Sequence, residues 1–323
     1  MRRTLLSILL VLTVAASPSY AWDGFGHMEV AYIAYQQLTP AARARVWTLL
    51  QLNPYFIDST KWKSMIPAGT SDADTQLMIF MIAATWPDQI KGDSSYSDDG
   101  SNGGNTPDGA TSKQNTGYTD KLRHKYWHFV DKPFAQDGTK KLPKVPTPNA
   151  RTQIAAFRKV LASKTRPDAL KSYDLVWLLH IVGDVHQPLH CTTRIGAGQP
   201  TGDSGGNLVK CPNCNPGFGD LHGYWDDLPG TTPRDKPDLL AIITAGTALP
   251  PATDPIPTKQ TATIWIGESF ADAKSTVYHD PIGLGLGPFT LTPAYETTAQ
   301  DFAKKRVALA GARLAKLLND ELK

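Results

Sequence analysis

An all-α fold, a single mainly helical domain, is what this sequence predicts, and three observations predict it. Apolar residues recur at the helical period in one segment after another, and no sustained period-two alternation bounded by hairpin turns stands out. The third is "SYDLVWLLHIVGD" (172–184). Its apolar residues Leu175, Val176, Leu178, Leu179 and Val182 are too continuous for a solvent-facing helix and suit one at the centre of a bundle.

From the start, the chain opens "MRRTLLSILLVLTVAASPSYA". Arg2 and Arg3 form a basic region, Leu5 to Ala16 an apolar run too short to span a bilayer, and Ser19-Tyr20-Ala21 a small-x-small cleavage site. This predicts a signal peptide over 1–21 and a soluble, secreted or periplasmic protein that begins at Trp22. Helical period then marks "HMEVAYIAYQQL" from His27, "AARARVWTLLQL" from Ala41, "DTQLMIFMIAATW" from Asp74 and "ARTQIAAFRKVLAS" from Ala150. After the central stretch, Pro188 is expected to end that helix and send His190 off on a new backbone direction. In the long C-terminal "AYETTAQDFAKKRVALAGARLAKLLNDELK", Phe302, Leu309, Ala310, Leu314 and Leu317 share one face. No extension is expected beyond it.

Two insertions interrupt the helices. Segment 93–117 is so rich in Ser, Asn, Asp and Gly that a mobile loop with no share in the core is expected. Segment 195–223 is also loop-like and carries Cys211 and Cys214. With Cys191 the only other cysteine, export predicts one disulfide and one leftover thiol. A half zinc knuckle at "CPNC" is the weaker alternative.

Charge excludes one class of function. The 33 basic residues less Arg2 and Arg3 leave 31 against 30 acidic, near +1. A protein holding nucleic acid mainly by phosphate neutralisation needs a larger basic excess. If the substrate is a phosphate ester, bound metal must supply the local positive charge.

The candidate ligands gather around the central helix. His180 and Asp184 stand four apart, one turn above each other on one helix face, and His190 can approach the same point from the exit loop. Imidazole and carboxylate converging from two directions suit zinc. One such histidine would more often be a buried, hydrogen-bonded core residue; three histidines and an aspartate within 178–190 are not. Elsewhere, His27 lies in "WDGFGH", Asp88 in "ATWPDQIK" where Pro87 reads as a turn, and His128 in the apolar "YWHFVD". His222 and Asp226 in "LHGYWDD" repeat the four-residue spacing. His124, in the basic "KLRHKYW", reads as a surface residue, and His279 has no motif around it.

Together "WDGFGH", "WPDQIK", "HFVD", "HIVGDVHQPLH", "DSGGN" and "LHGYWD", in that order from Trp22 to the last helix, resemble the secreted, single-strand-specific zinc nucleases with 3′-nucleotidase activity, the mung-bean type. Bacterial zinc phospholipases C are their distant relatives. The resemblance implies an all-helical fold with three zinc ions in a cleft. It implies that Asp88, His128, His180 and Asp184 hold the first, and His190, His222 and Asp226 the second. The third would take His27, Asp184 as a bridge, and the α-amine and carbonyl of Trp22. His186 has no ligand role in the family and is expected to pack. By the same resemblance Asp88 orients the attacking water and Lys91 stands near the phosphate; a solvated loop lysine is the plain alternative. Phe129 would stack on the base 5′ of the cut, Asp131 would bond its edge, and Asn207 would line the cleft. Hydrolysis of single-stranded DNA and RNA to 5′-phosphorylated products is implied. The long insertion before His128 and the cysteines within 191–214 depart from the fungal and plant pattern.

Two rivals remain. A zinc phospholipase C would use the same cluster, but Asp226 stands where those enzymes place Glu, and the Phe/Asp pair suits a base. A non-catalytic exported zinc-binding protein would favour exchangeable His-rich tracts rather than ligands dispersed through a core. No segment points to a stable protein partner, and a monomer is expected.

Overall fold

Side-chain caps set where most of the helices begin. The computed structural model describes residues 22–214, 219–252 and 261–323, so the predicted signal peptide lies outside the described residues. Helix α1 (Gly24–Gln36) is followed by α2 (Pro40–Leu50), where Thr39 accepts from the backbone of Ala42 and Pro40 fits the first helical position. Then come the short α3 (Pro54–Ile57) and α4 (Asp72–Ala83), the latter capped by Ser71 with Asp72 and Asp74 in its first turn. Helix α5 (Trp86–Gly92) follows α4 with only two residues between them. Next are α6 (Ala150–Ala162), with a reciprocal Asn149/Thr152 capping box, and the central α7 (Asp168–Asp184). Short α8 (Leu221–Asp226), α9 (Leu239–Ala248), α10 (Ala262–Asp272) and the long α11 (Pro293–Glu321) complete the order.

Every residue of α7 from Lys171 to Asp184 is buried, as its apolar run requires. It is wrapped by α1, α2, α5, α6 and α11. Helices α1 and α11 cross closely: a Cβ on Gly311 would lie 2.6 Å from Cβ of Ile33 and 3.0 Å from the Val30 carbonyl, so only glycine lets the helices meet there. Among the described residues, sheet is confined to two small pairs. β1 (Gly100–Ser101) pairs antiparallel with β2 (Thr106–Pro107), and β3 (Pro133–Ala135) pairs parallel with β4 (Thr193–Ile195). The second pair matters for the site. With Val130 N donating to His190 O at 2.7 Å and Thr193 N to Lys132 O at 3.0 Å, it locks the strand after His128 against the turn carrying His190.

Several expectations need correcting. The central helix ends at Asp184, four residues short of Pro188, which instead opens a 3₁₀ turn, Pro188–Cys191. Pro87 starts a helix rather than forcing a turn: it sits in the first turn of α5, where its missing N–H costs nothing. The composition of 93–117 hides real core contacts. Tyr96 is buried with its ring edge-on to Trp86, and Asn115 donates to both carboxylate oxygens of Asp174 at 2.9 and 3.1 Å. His124 is fully buried between Asp99 and Asp120 at 2.5 and 3.3 Å, while Asp98 pairs with Arg123 and Lys125, the neighbours whose charge made the stretch read as surface. The cysteines behave as the simpler reading expects: Cys211 and Cys214 form a disulfide, and Cys191 is a buried thiol pushed up to about 12 by burial.

Candidate metal centre

Six segments of the fold deliver the predicted ligands to one buried place. His27 comes from the first turn of α1, Asp88 from the first turn of α5, and His180 and Asp184 from the last turns of α7. His128 follows a 3₁₀ turn, Lys125–Trp127; His190 lies in the turn after α7; His222 and Asp226 lie on α8. All eight side chains are buried. Their donor atoms fall into three groups, each with its atoms within 4.8 Å of one another: His27, His180 and Asp184; Asp88, His128 and His180; and His190, His222 and Asp226. His180 therefore stands between the first two groups, its ring stacked on that of His27 at 3.7 Å. One oxygen of Asp184 faces His27 Nε2 at 3.3 Å and His180 Nε2 at 3.5 Å, while the other faces His128 Nδ1 at 3.2 Å.

Backbone carbonyls fix which nitrogen of each imidazole carries its proton. Nδ1 of His180 lies 2.7 Å from Ala84 O, Nδ1 of His190 3.1 Å from His128 O, and Nδ1 of His222 2.7 Å from Gly205 O. A carbonyl oxygen only accepts, so each Nδ1 donates, and in the neutral ring each Nε2 presents a lone pair. Yet Nε2 of His190 and Nε2 of His222 face each other at 3.1 Å. Two lone pairs at that distance repel unless a cation lies beside both. Several other donors are stranded: both ring nitrogens of His27, Nε2 of His128 and both oxygens of Asp184 are buried without a hydrogen-bond partner. Orphaned buried acceptors are costly, and this set of imidazoles and carboxylates fits a bound divalent cation.

Charge gives the same picture. Burial, then the neighbouring imidazoles and Lys91, hold His128 and His180 well below the ordinary histidine range, and burial followed by the His222 imidazole does so for His190. Burial and then His180 do so for His27. Neutral imidazole is the form that binds metal. Burial, and then the carboxylate of Asp88, push Asp184 well above the carboxylate range, so the ionised form needs positive charge close by. Asp226 is raised chiefly by burial as well, although Gln187 Nε2 donates to it at 2.7 Å.

The other predicted residues take distinct places. Lys91 lies three residues on from Asp88 in α5, buried, with Nζ 2.7 Å from Asp88 Oδ1, which removes the solvated-loop alternative. Phe129 is part-buried against the core beside His128. Asp131 is pushed up to about 7 by burial and then by Asp203. Asn207 bonds Ser204 O at 2.6 Å, two residues from the Gly205 carbonyl that holds His222. Gly205 has φ +61°, and a Cβ there would lie 2.5 Å from Leu189 O. Trp22 is fully buried, its indole donating to Gly183 O at 3.1 Å, and Asp23 N donates to Asp226 O at 2.9 Å. The start of the described chain thus runs along the ligand cluster. His186 packs away from it, Nδ1 donating to Val182 O at 2.6 Å and Nε2 accepting from Arg313 at 3.0 Å. His279 is exposed beside the Tyr295 ring.

Gln187 escaped the sequence reading. Besides its bond to Asp226, its Oε1 accepts from Leu189 N at 2.5 Å, so one buried amide ties the His190 turn to α8. Its position inside "HQPLH", between two histidines, was the available signal. Among the described residues no helix is long and apolar enough to cross a membrane. The family model described as S1/P1 Nuclease matches residues 22–323, and no curated protein matches the chain.

Proposed function

Because the chain belongs to the S1/P1 nuclease family, whose members are metal-dependent hydrolases of nucleic acid, we propose that this protein is a secreted or periplasmic zinc phosphodiesterase with three zinc ions. It cleaves single-stranded DNA and RNA to 5′-phosphorylated products and removes phosphate from 3′-nucleotides. The observation that carries the reading is the face-to-face pair of unprotonated nitrogens of His190 and His222, together with the stranded donors of His27, His128 and Asp184.

In this reading Asp88, His128, His180 and Asp184 hold one ion and His190, His222 and Asp226 the second. His27, Asp184 and the backbone of Trp22, freed by removal of 1–21, hold the third. Residues 22–323 then act as one catalytic domain. Bound zinc supplies positive charge for the phosphate oxygens and acidifies water to a pKa of about 7. Asp88 orients that water through its carboxylate, and Lys91, 2.7 Å from Asp88 Oδ1, holds the carboxylate in place and adds a cation at the phosphate. Phe129 offers a face for stacking the base 5′ of the cut, with Asp131 at its edge and Asn207 lining the cleft. Stacking needs an unpaired base, so duplex is a poor substrate.

The test is turnover by the processed, zinc-loaded protein on single-stranded DNA, RNA, 3′-AMP and phosphatidylcholine. Hydrolysis of the first three, leaving 5′-phosphate ends on the strands, is expected. Hydrolysis of phosphatidylcholine alone would replace this reading with the phospholipase one.

A further inference from the structure

The group of His190, His222 and Asp226 is assembled from two separate pieces of chain, the 3₁₀ turn Pro188–Cys191 and helix α8. Gln187 joins them. Its backbone N–H donates to Asp184 O at 3.0 Å, which ties it to the end of α7, and its carbonyl accepts from His190 N at 3.1 Å. Its side chain is fully buried, with Oε1 accepting from Leu189 N at 2.5 Å and Nε2 donating to Asp226 Oδ1 at 2.7 Å. A backbone N–H only donates, so the amide atom facing Leu189 is the oxygen and the atom facing Asp226 is the nitrogen. The amide therefore has a single orientation.

That orientation decides what Asp226 presents to its two histidines. Oδ1 carries the Gln187 bond and lies 3.8 Å from His190 Nε2, while Oδ2 lies closer to the imidazoles, 3.3 Å from His222 Nε2. His190 and His222 are each aimed by a carbonyl at Nδ1, from His128 and Gly205, and the Gln187 amide does the corresponding work for the third member of the group. We propose that Gln187 is a positioning residue for the metal held by this group: it clamps Asp226 through Oδ1, so that Oδ2 is the ligand oxygen. The proposal rests on the metal reading above. An apolar side chain of the same size could fill the space but could not select which oxygen of Asp226 turns toward the histidines.

Two substitutions and their combination test the clamp. In Gln187→Glu one carboxylate oxygen still accepts from Leu189 N, so the turn keeps its bond, but the other faces Asp226 Oδ1 and the clamp becomes a repulsion. In Asp226→Asn the carbonyl oxygen turns to meet the Gln187 amide, and a nitrogen with no lone pair is left facing the histidines. Combining the two reverses the bond: the new amide at position 226 donates to the new carboxylate at 187, which leaves the amide's oxygen free for the metal. The readout is transfer of zinc from the loaded protein to a chelating dye, followed as ions per chain against time. The ion whose release Asp226→Asn speeds is the one held by this group. Gln187→Glu should release that ion on the order of tenfold faster than wild type. The double variant should release it about tenfold more slowly than Asp226→Asn. A wild-type release rate in Gln187→Glu would overturn the clamp and leave the metal assignment standing. So would a double variant in which the two single effects simply multiply, the result expected if Gln187 only held the turn. A wild-type protein that binds no zinc would overturn both.

Discussion

His124 and His190 are both buried histidines with carboxylates nearby, yet their ring nitrogens have opposite surroundings. His124 is matched on every side: Nδ1 lies 2.5 Å from Asp99 and Nε2 3.3 Å from Asp120, while its backbone N–H reaches Asp99 at 3.0 Å. The Tyr126 hydroxyl also bonds Asp99, and the Tyr173 hydroxyl bonds Asp120 at 3.3 Å. One imidazolium between two carboxylates, stacked on Trp127, satisfies itself. His190 instead turns an unprotonated Nε2 toward another unprotonated Nε2. Residue type and burial do not separate a structural ion cluster from a metal site. The matching of donors to acceptors does.

The sharpest way to break this comparison is Asp184→Asn. The amide keeps the shape but removes a charge that faces His27, His180 and His128, so metal is lost and kcat/KM falls on the order of 10³-fold. Stripped of metal, however, the variant should melt no lower than stripped wild type, because the amide N–H₂ gives a donor to the unprotonated Nε2 of His180 beside it. A metal-free variant that melts well below metal-free wild type would mean that the cluster is held together by the protein alone.

The opposite substitution, His124→Gln, should leave metal content and turnover near wild type and lower stability. It strands two buried carboxylates, and breaking such a cluster costs about 3–5 kcal/mol. Denaturant unfolding of both proteins measures it; a loss of metal would place His124 with the ligands after all.

A smaller effect distinguishes the clusters by pH. Burial lowers the affinity of His124 for its proton, but the bonds and charges of Asp120 and Asp99 outweigh that and raise its pKa above the ordinary value. A raised value means that the folded chain binds this proton more tightly than the unfolded chain. Its contribution is complete below about 6.5 and is lost as pH climbs through the folded value. The stability gap between wild type and His124→Gln should therefore narrow as pH rises above about 6.5. A constant gap would show that His124 is held as a neutral ring.

The same contrast explains what was legible in the sequence. The ligand set could be read because His180/Asp184 and His222/Asp226 each fall four apart on a helix, a local spacing. The partners of His124 were less legible: Asp120 also stands four residues away but no helix joins the two, and Asp99 lies across the insertion with nothing in "KLRHKYW" pointing to it. Asp88 was found, but its helix was not, since Pro87 signals a helix start as readily as a turn. Helices α9 and α10 were not singled out either. Leu240 and Ile264 on them remain 62% and 47% exposed, so apolar residues on their outer faces blur the periodic signal. Arg306 and Arg313, buried on α11 among Glu268, Asp272 and His186, were not singled out, because an arginine in a helical stretch reveals nothing of its partners.

The most direct test of the metal assignment is elemental analysis of the processed protein, wild type and His124→Gln together, with turnover measured on the same samples. Three zinc ions per active chain in both proteins is the predicted result. One zinc or none per fully active wild-type chain would contradict it.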